Sequence, residues 1–207
     1  MKAGALALVL GAGLCLPFAA TALEYKEVKG PQGRILMVTG DFKMNDDKDF
    51  ATVLDNAGQF DEVWFSSPGG KVDASFKIGR LLRRKGMMTR IPAGASCASA
   101  CSIAFIGGVV RSVDRGGMFG VHMATLTRDP ERISRFIKEI EENGAKTAGK
   151  LLRDIEQSAA FTAAGLAKYL VEMGASLELM TLVVNTESDT MHWLTADELR
   201  RYNVVNQ

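Results

Sequence analysis

Glu62-Val63-Trp64-Phe65-Ser66-Ser67-Pro68-Gly69-Gly70 runs almost directly into Val72-Asp73-Ala74-Ser75-Phe76-Lys77-Ile78-Gly79-Arg80-Leu81-Leu82-Arg83-Arg84. The first stretch reads as a short apolar strand, Glu62 to Ser66, closed by a strong turn signal at Ser67-Pro68-Gly69-Gly70. The second has helix-forming residues, a basic end, and Gly86 as its stop. A strand, a turn and a helix make one unit of an α/β protein. Whether that unit repeats decides the fold class.

It repeats in both directions. Upstream, Arg34 to Gly40 reads as a buried strand stopping at a glycine, and Met44 to Ala57 as a helix. Downstream, Met87 to Pro92 is a strand candidate, and Ala98 to Ile106 a small-residue buried helix closed by Gly107-Gly108. Met118 to Met123 is another strand. The alternation predicts an α/β fold with a largely parallel sheet. The second half is more helical. Ile133, Phe136, Ile137 and Ile140 recur at i, i+3, i+4 and i+7 on a helix that begins at Asp129-Pro130. Lys146 to Met173 continues with helical periodicity, and Thr195 with Glu198 three residues on is a helix start.

Length and composition set the outer bounds. The chain has 207 residues, 47% of them apolar, which suits one domain with a real core. Lys2, then nearly unbroken apolar sequence from Ala3 to Phe18, Pro17, and small residues at Ala20-Thr21-Ala22 form a secretory signal layout. The expected organisation is a signal peptide over 1–22 and one domain over 23–207, in a periplasmic or secreted protein with no membrane contact after cleavage. An uncleaved anchor is the rival, although the apolar run is short for a spanning helix. Leu14 before Cys15 lacks the small residue of a lipoprotein cleavage box. Without Lys2 the chain has 24 basic and 24 acidic residues, so no electrostatic argument favours nucleic acid or an anionic membrane as partner. The mature part keeps two cysteines, Cys97 and Cys101. They are either a disulfide, which needs a turn to bring them together, or two small buried thiols.

Three features could carry chemistry. Ser99 stands in Ser96-Cys97-Ala98-Ser99-Ala100-Cys101, between a strand and a helix, where a hydroxyl can face outward beside unpaired N–H groups. Serines also cap helices and fill packing seams. His122 is one of only two histidines and ends a strand beside Gly120, so it is a candidate base, or an ordinary structural histidine. Gly69-Gly70 permits unusual backbone angles and close approach of a substrate, and alone is an ordinary turn.

Taken together, Arg34 to Gly40, Val63 to Gly70, Ala98-Ser99 and Val121-His122 resemble the Clp protease proteolytic subunit in order and spacing, over roughly residues 33–123. The likeness resumes at Trp193 to Leu199 and Tyr202, and Cys97 to Cys101 with Gly120-Val121-His122 resembles exported bacterial Clp-like proteins. The resemblance implies a crotonase-like spiral of β-β-α units with a helical C-terminal half. It implies Ser99 as nucleophile, His122 as general base, and the N–H groups of Gly70 and Ala100 as oxyanion hole. The reaction would be a serine-type peptidase or acyl hydrolase reaction through an acyl-enzyme, with no cofactor and no metal. A peptide or unfolded segment would be the substrate, and a homo-oligomer the assembly.

Two departures stand out. The family's acid falls on Met191 here, leaving Asp189 as candidate and Glu187 as fallback. Export would also separate the protein from an ATP-driven partner ring. A fold retained for binding or scaffolding after loss of catalysis is therefore the second reading. A third takes Cys97, Cys101 and His122 as zinc ligands, and a serine–lysine dyad would draw on Lys146, Lys150 or Lys168.

Overall fold

The structure is a computed structural model that describes residues 22–30, 33–56, 58–125 and 130–207. The expected signal segment lies outside the described residues except for Ala22. Eight strands and seven helices follow one another among the described residues: β1 (Glu24–Gly30), β2 (Gly33–Phe42), α1 (Asp46–Asn56), β3 (Glu62–Gly70), α2 (Val72–Arg84), β4 (Met88–Ile91), β5 (Ser96–Ala98), α3 (Ala100–Ile106), β6 (Arg111–Val113), β7 (Met118–Val121), α4 (Pro130–Asn143), α5 (Ala145–Glu172), α6 (Leu179–Asn185), β8 (His192–Trp193) and α7 (Ala196–Arg201).

β3 organises the sheet. Its first half pairs in parallel with β4 through Glu62, Val63 and Trp64, and its second half with β5 through Ser67 and Cys97. β4 continues to β6, and β5 to β7, all parallel. One leaf is therefore β2-β3-β4-β6 and the other β3-β5-β7-β8, with β3 common to both. Antiparallel strands lie at two edges, β1 beside β2 and β8 beside β7. Val63 and Phe65 are fully buried, as parallel strands covered by helices require.

Two sequence expectations need correction here. β3 does not turn at Ser67 but continues to Gly70, with Gly69 and Gly70 paired to Asp41 and Phe42. A register shift between Thr39 and Asp41 interrupts the ladder opposite Pro68, so a residue without an N–H is tolerated there. Ala98 to Ile106 is not one helix. Ser96 to Ala98 extends as β5, and the helix starts only at Ala100. β1, β5, β6, β8 and α6 were not anticipated. β1 is rich in charge and mostly exposed, and β5, β6 and β8 are too short to show a period.

The C-terminal half closes over the sheet around one buried cation. Arg111 is 1% exposed. Its guanidinium donates to Val204 O at 2.9 Å, Asn203 O at 2.8 Å, Gly108 O at 3.1 Å, Met173 O at 3.1 Å and Ile106 O at 3.4 Å. These carbonyls belong to the C-terminal ends of α3, α5 and α7. Helix ends of that polarity carry partial negative charge, so three of them stabilise a guanidinium that meets no carboxylate among the described residues. Burial, with Arg83 nearby, pushes the Arg111 pKa down to about 10, which leaves it charged at neutral pH.

Removing this donor strands several buried carbonyls at once. Arg111→Met is expected to lower stability by about 3 kcal/mol, seen by calorimetry as a fall in Tm of roughly 6–12 °C. A fall under about 2 °C would contradict the role given to Arg111.

Candidate active site

The turn from β5 into α3 is made by one residue. Ser99 has φ 56° and ψ −120°. Only two other described non-glycine residues have positive φ, Asn45 and Asn203, and asparagine tolerates that region whereas serine does not. The sharp strand-to-helix turn thus rests on a serine held in a sparsely populated conformation, half-buried and lining a pocket. Hydrogen bonds hold the turn from both sides. The Ser99 N–H donates to Gly120 O at 3.0 Å, and the Ser102 N–H to Ser99 O at 3.0 Å. The buried Ser102 hydroxyl lies 2.7 Å from Gly120 O and 3.0 Å from Cys97 O, tying β5 and β7 beneath it.

The amide that follows is unpaired. Ala100 opens α3, and its N–H has no hydrogen-bond acceptor among the described residues, as the first turn of a helix leaves it. Gly69 packs against this point. A Cβ at Gly69 would lie 2.8 Å from Ser99 Cβ, 2.9 Å from Ala100 N and 2.6 Å from Ala98 O. Its φ of +107° also suits glycine. The Gly69 N–H donates to Ser67 Oγ at 3.1 Å, and that hydroxyl donates to Gly40 O at 2.6 Å, so a buried serine fixes the strand end beside the elbow. Gly70 stands one residue further on, with φ +138° and no room for a Cβ beside Phe42 O.

His122 follows directly on β7. Its Nδ1 lies 2.8 Å from Ser188 O. A carbonyl oxygen can only accept, so Nδ1 carries the proton of the neutral ring and Nε2 keeps its lone pair. That is the tautomer a general base requires. The neighbouring Met123 N–H donates to Thr186 O at 2.9 Å, so the loop after α6 grips the backbone as well as the ring.

Ser99 and His122 line one pocket of about 50 Å³. Its walls are otherwise mainly apolar, with Phe76 from α2, Ile103 from α3, Leu166 and Leu170 from α5, and Leu179 from α6. Among the described residues the two side chains share the pocket lining without a direct hydrogen bond to each other.

The other sequence candidates fall as follows. The Asp189 side chain is exposed and has no hydrogen bond or ion pair among the described residues; the main-chain oxygen one residue earlier meets His122 Nδ1. Glu187 is exposed too. Cys97 and Cys101 form a disulfide with Cα atoms 5.2 Å apart, both fully buried, which removes them as zinc ligands. Lys146, Lys150 and Lys168 lie exposed on α5 outside the pocket lining. Sequence reasoning missed Ser67, Ser102 and the Ser188 carbonyl. Ser67 was visible as a polar residue inside a buried run; a main-chain acceptor leaves no signal at all.

No family model and no curated protein sequence matches the chain. Solved structures do. A serine-to-alanine variant of 1510-N, a membrane-bound stomatin-specific protease, aligns with TM-score 0.54 at 17% identity, over 82% of this chain and 75% of that one. An asparagine-to-aspartate variant of ClpP1 from Listeria monocytogenes aligns with TM-score 0.54 at 15% identity, over 83% and 88%. A lysine-to-alanine variant of 1510-N in complex with a substrate peptide gives 0.53 at 18% identity, over 82% and 71%. The fold is ClpP-like.

Gly69→Ala would press a methyl group into the elbow. It is expected to lower Tm by several degrees and, if Ser99 is a nucleophile, to slow its acylation about 10²-fold, measured as the rate of covalent labelling of the folded variant. Labelling at the wild-type rate would show that the elbow tolerates the displacement.

Proposed function

We propose that this ClpP-like fold is a serine hydrolase, a Clp-like peptidase working outside the cytoplasm without an ATPase partner. The observation that carries the reading is the backbone of Ser99, held at φ 56° with the unpaired Ala100 N–H beside it and opening onto the pocket that His122 lines. Strain of this kind, about 1–3 kcal/mol, persists only where the surroundings enforce it, and it concentrates at catalytic positions.

The chemistry follows from the atoms in place. His122 Nε2 takes the proton of Ser99 Oγ as the oxygen attacks the substrate carbonyl. Negative charge then develops on the carbonyl oxygen, and the N–H groups of Ala100 and Gly70 stabilise it. The imidazolium returns the proton to the leaving nitrogen or oxygen, and water repeats the sequence on the acyl-enzyme. Ser188 O accepts from Nδ1 throughout, so the ring is oriented without a carboxylate at position 189 or 191. The scaffold reading drew its weight from Met191; the hydrogen bond between His122 Nδ1 and Ser188 O supports the hydrolase reading instead.

The pocket walls set the substrate. Phe76, Ile103, Leu166 and Leu179 suit an apolar side chain next to the scissile carbonyl, presented by a peptide or an unfolded segment. The exposed Leu152 and Phe161 on α5 make self-association part of the same proposal. Two successive strand pairs around α3, with one strand of each pair in each leaf, support reading the strand–helix repeat as a crotonase-like spiral.

A fluorophosphonate probe is expected to label the wild type on Ser99, as located by peptide mass spectrometry. Ser99→Ala should abolish labelling, and His122→Ala should slow it by at least about 10²-fold. No labelling of the folded wild type would overturn the hydrolase reading. Asp189→Asn separates carbonyl from carboxylate. We expect a change under about threefold, where a true triad acid would lose about 10⁴-fold; a loss of that size would return the role to Asp189.

A further inference from the structure

The disulfide spans the proposed nucleophile. Cys97 is the central residue of β5, hydrogen-bonded in register between Ser67 of β3 and Phe119 of β7. Cys101 lies in the first turn of α3. Between them stand only Ala98, Ser99 and Ala100, the residues that make the turn and supply the unpaired amide. A bridge that closes so short a loop restricts the unfolded chain very little, because the entropic gain grows with loop length. Its effect is local. It fixes the direction in which α3 leaves β5, and with it the one residue whose backbone angles are unfavourable.

The remaining restraints on Ser99 are hydrogen bonds: its N–H to Gly120 O, its carbonyl to the Ser102 N–H, and the Ser102 hydroxyl below. Those bonds anchor the ends of the turn to β7 and α3. A flip of residue 99 to negative φ, into either the strand or the helix, would strain them, but each is a single non-covalent bond. The disulfide adds a covalent restraint to the 5.2 Å Cα separation: an extended chain spreads four residues to roughly 13 Å, and a regular helical turn leaves the two Cβ atoms about 5–6 Å apart, beyond the roughly 4 Å a bridge needs.

We propose that the Cys97–Cys101 disulfide is the positioning element that arms Ser99, so that the hydrolase is active oxidised and disarmed as the dithiol. The inference rests on the reading of Ser99 as nucleophile. Arming is an ordinary exchange. The two thiols give up two protons and two electrons to a disulfide oxidant, small-molecule or protein, which departs as two thiols while the Sγ–Sγ bond forms. A chain still in a reducing compartment would then carry an inert site, and would become active only where disulfides persist. Both sulfurs are fully buried, so the armed state is shielded from casual reduction.

The test compares the oxidised wild type with Cys97→Ala/Cys101→Ala, using fluorophosphonate labelling of Ser99 alongside a melting curve. The double variant is expected to melt cooperatively yet label at least about 100-fold more slowly, beyond what loss of one local constraint does to stability alone. In parallel, the wild type is equilibrated across a glutathione redox series, the disulfide fraction is read by thiol alkylation and mass spectrometry, and labelling should fall and recover with that fraction. Labelling of the double variant within threefold of wild type overturns the proposal, and so does labelling independent of the disulfide fraction or a bridge that never opens across the series. Absence of labelling in the oxidised wild type would instead strike the hydrolase reading itself. If the double variant does not fold, the redox series decides alone.

Discussion

The site depends on keeping one residue where it does not want to be. Ser99 at φ 56° and ψ −120° directs the chain from the sheet into α3 and leaves the Ala100 N–H unpaired among the described residues. An L-residue held there costs about 1–3 kcal/mol, and the surrounding structure must supply it. It does so with bonds from Gly120 and Ser102, with Gly69 lying flat against the turn, and with a covalent bridge across it. Strand β3 brings Gly69, β5 brings Cys97, and β7 brings both Gly120 and His122. The parallel order of these three strands is what assembles the site.

A second constraint holds the far side of the pocket. α5 and α6 form part of its apolar wall, and they belong to the half of the chain least like a repeating α/β unit. Arg111 ties this half down by gathering the ends of α3, α5 and α7 on one guanidinium. The same helix α3 therefore has its first turn at Ser99 and its last carbonyls on the buried cation. Mechanical integrity of the pocket and geometry of the elbow are linked through seven residues.

Much of this was legible in the sequence, for physical reasons that differ by element. Runs such as Ile35 to Val38 and Val63 to Phe65 are buried except for the half-buried Met37 and Trp64, and continuous apolar sequence of strand length has few other fates. The Thr195 cap was readable because a capping box needs two specific side chains at one spacing, and both of its hydrogen bonds are present. Ser99, His122 and the cysteine pair could be singled out because they are scarce and chemically distinctive. What could not be read was anything decided by backbone. Pro68-Gly69-Gly70 carries the composition of a turn, yet β3 absorbs an extra residue at Ser67-Pro68 opposite Gly40 and pairs on through Gly69 and Gly70. The orientation of His122 rests on Ser188 O, an acceptor that every residue possesses. Asp189 was a natural candidate because sequence shows carboxylates and hides carbonyls.

The most direct test is a crystal structure of the wild type inactivated by a fluorophosphonate. The account predicts phosphorus bonded to Ser99 Oγ, residue 99 still at positive φ, and the phosphoryl oxygen within about 3 Å of the Ala100 nitrogen, with His122 Nδ1 remaining on Ser188 O. An adduct whose phosphoryl oxygen faces solvent, on a Ser99 relaxed to ordinary helical or extended angles, would contradict it.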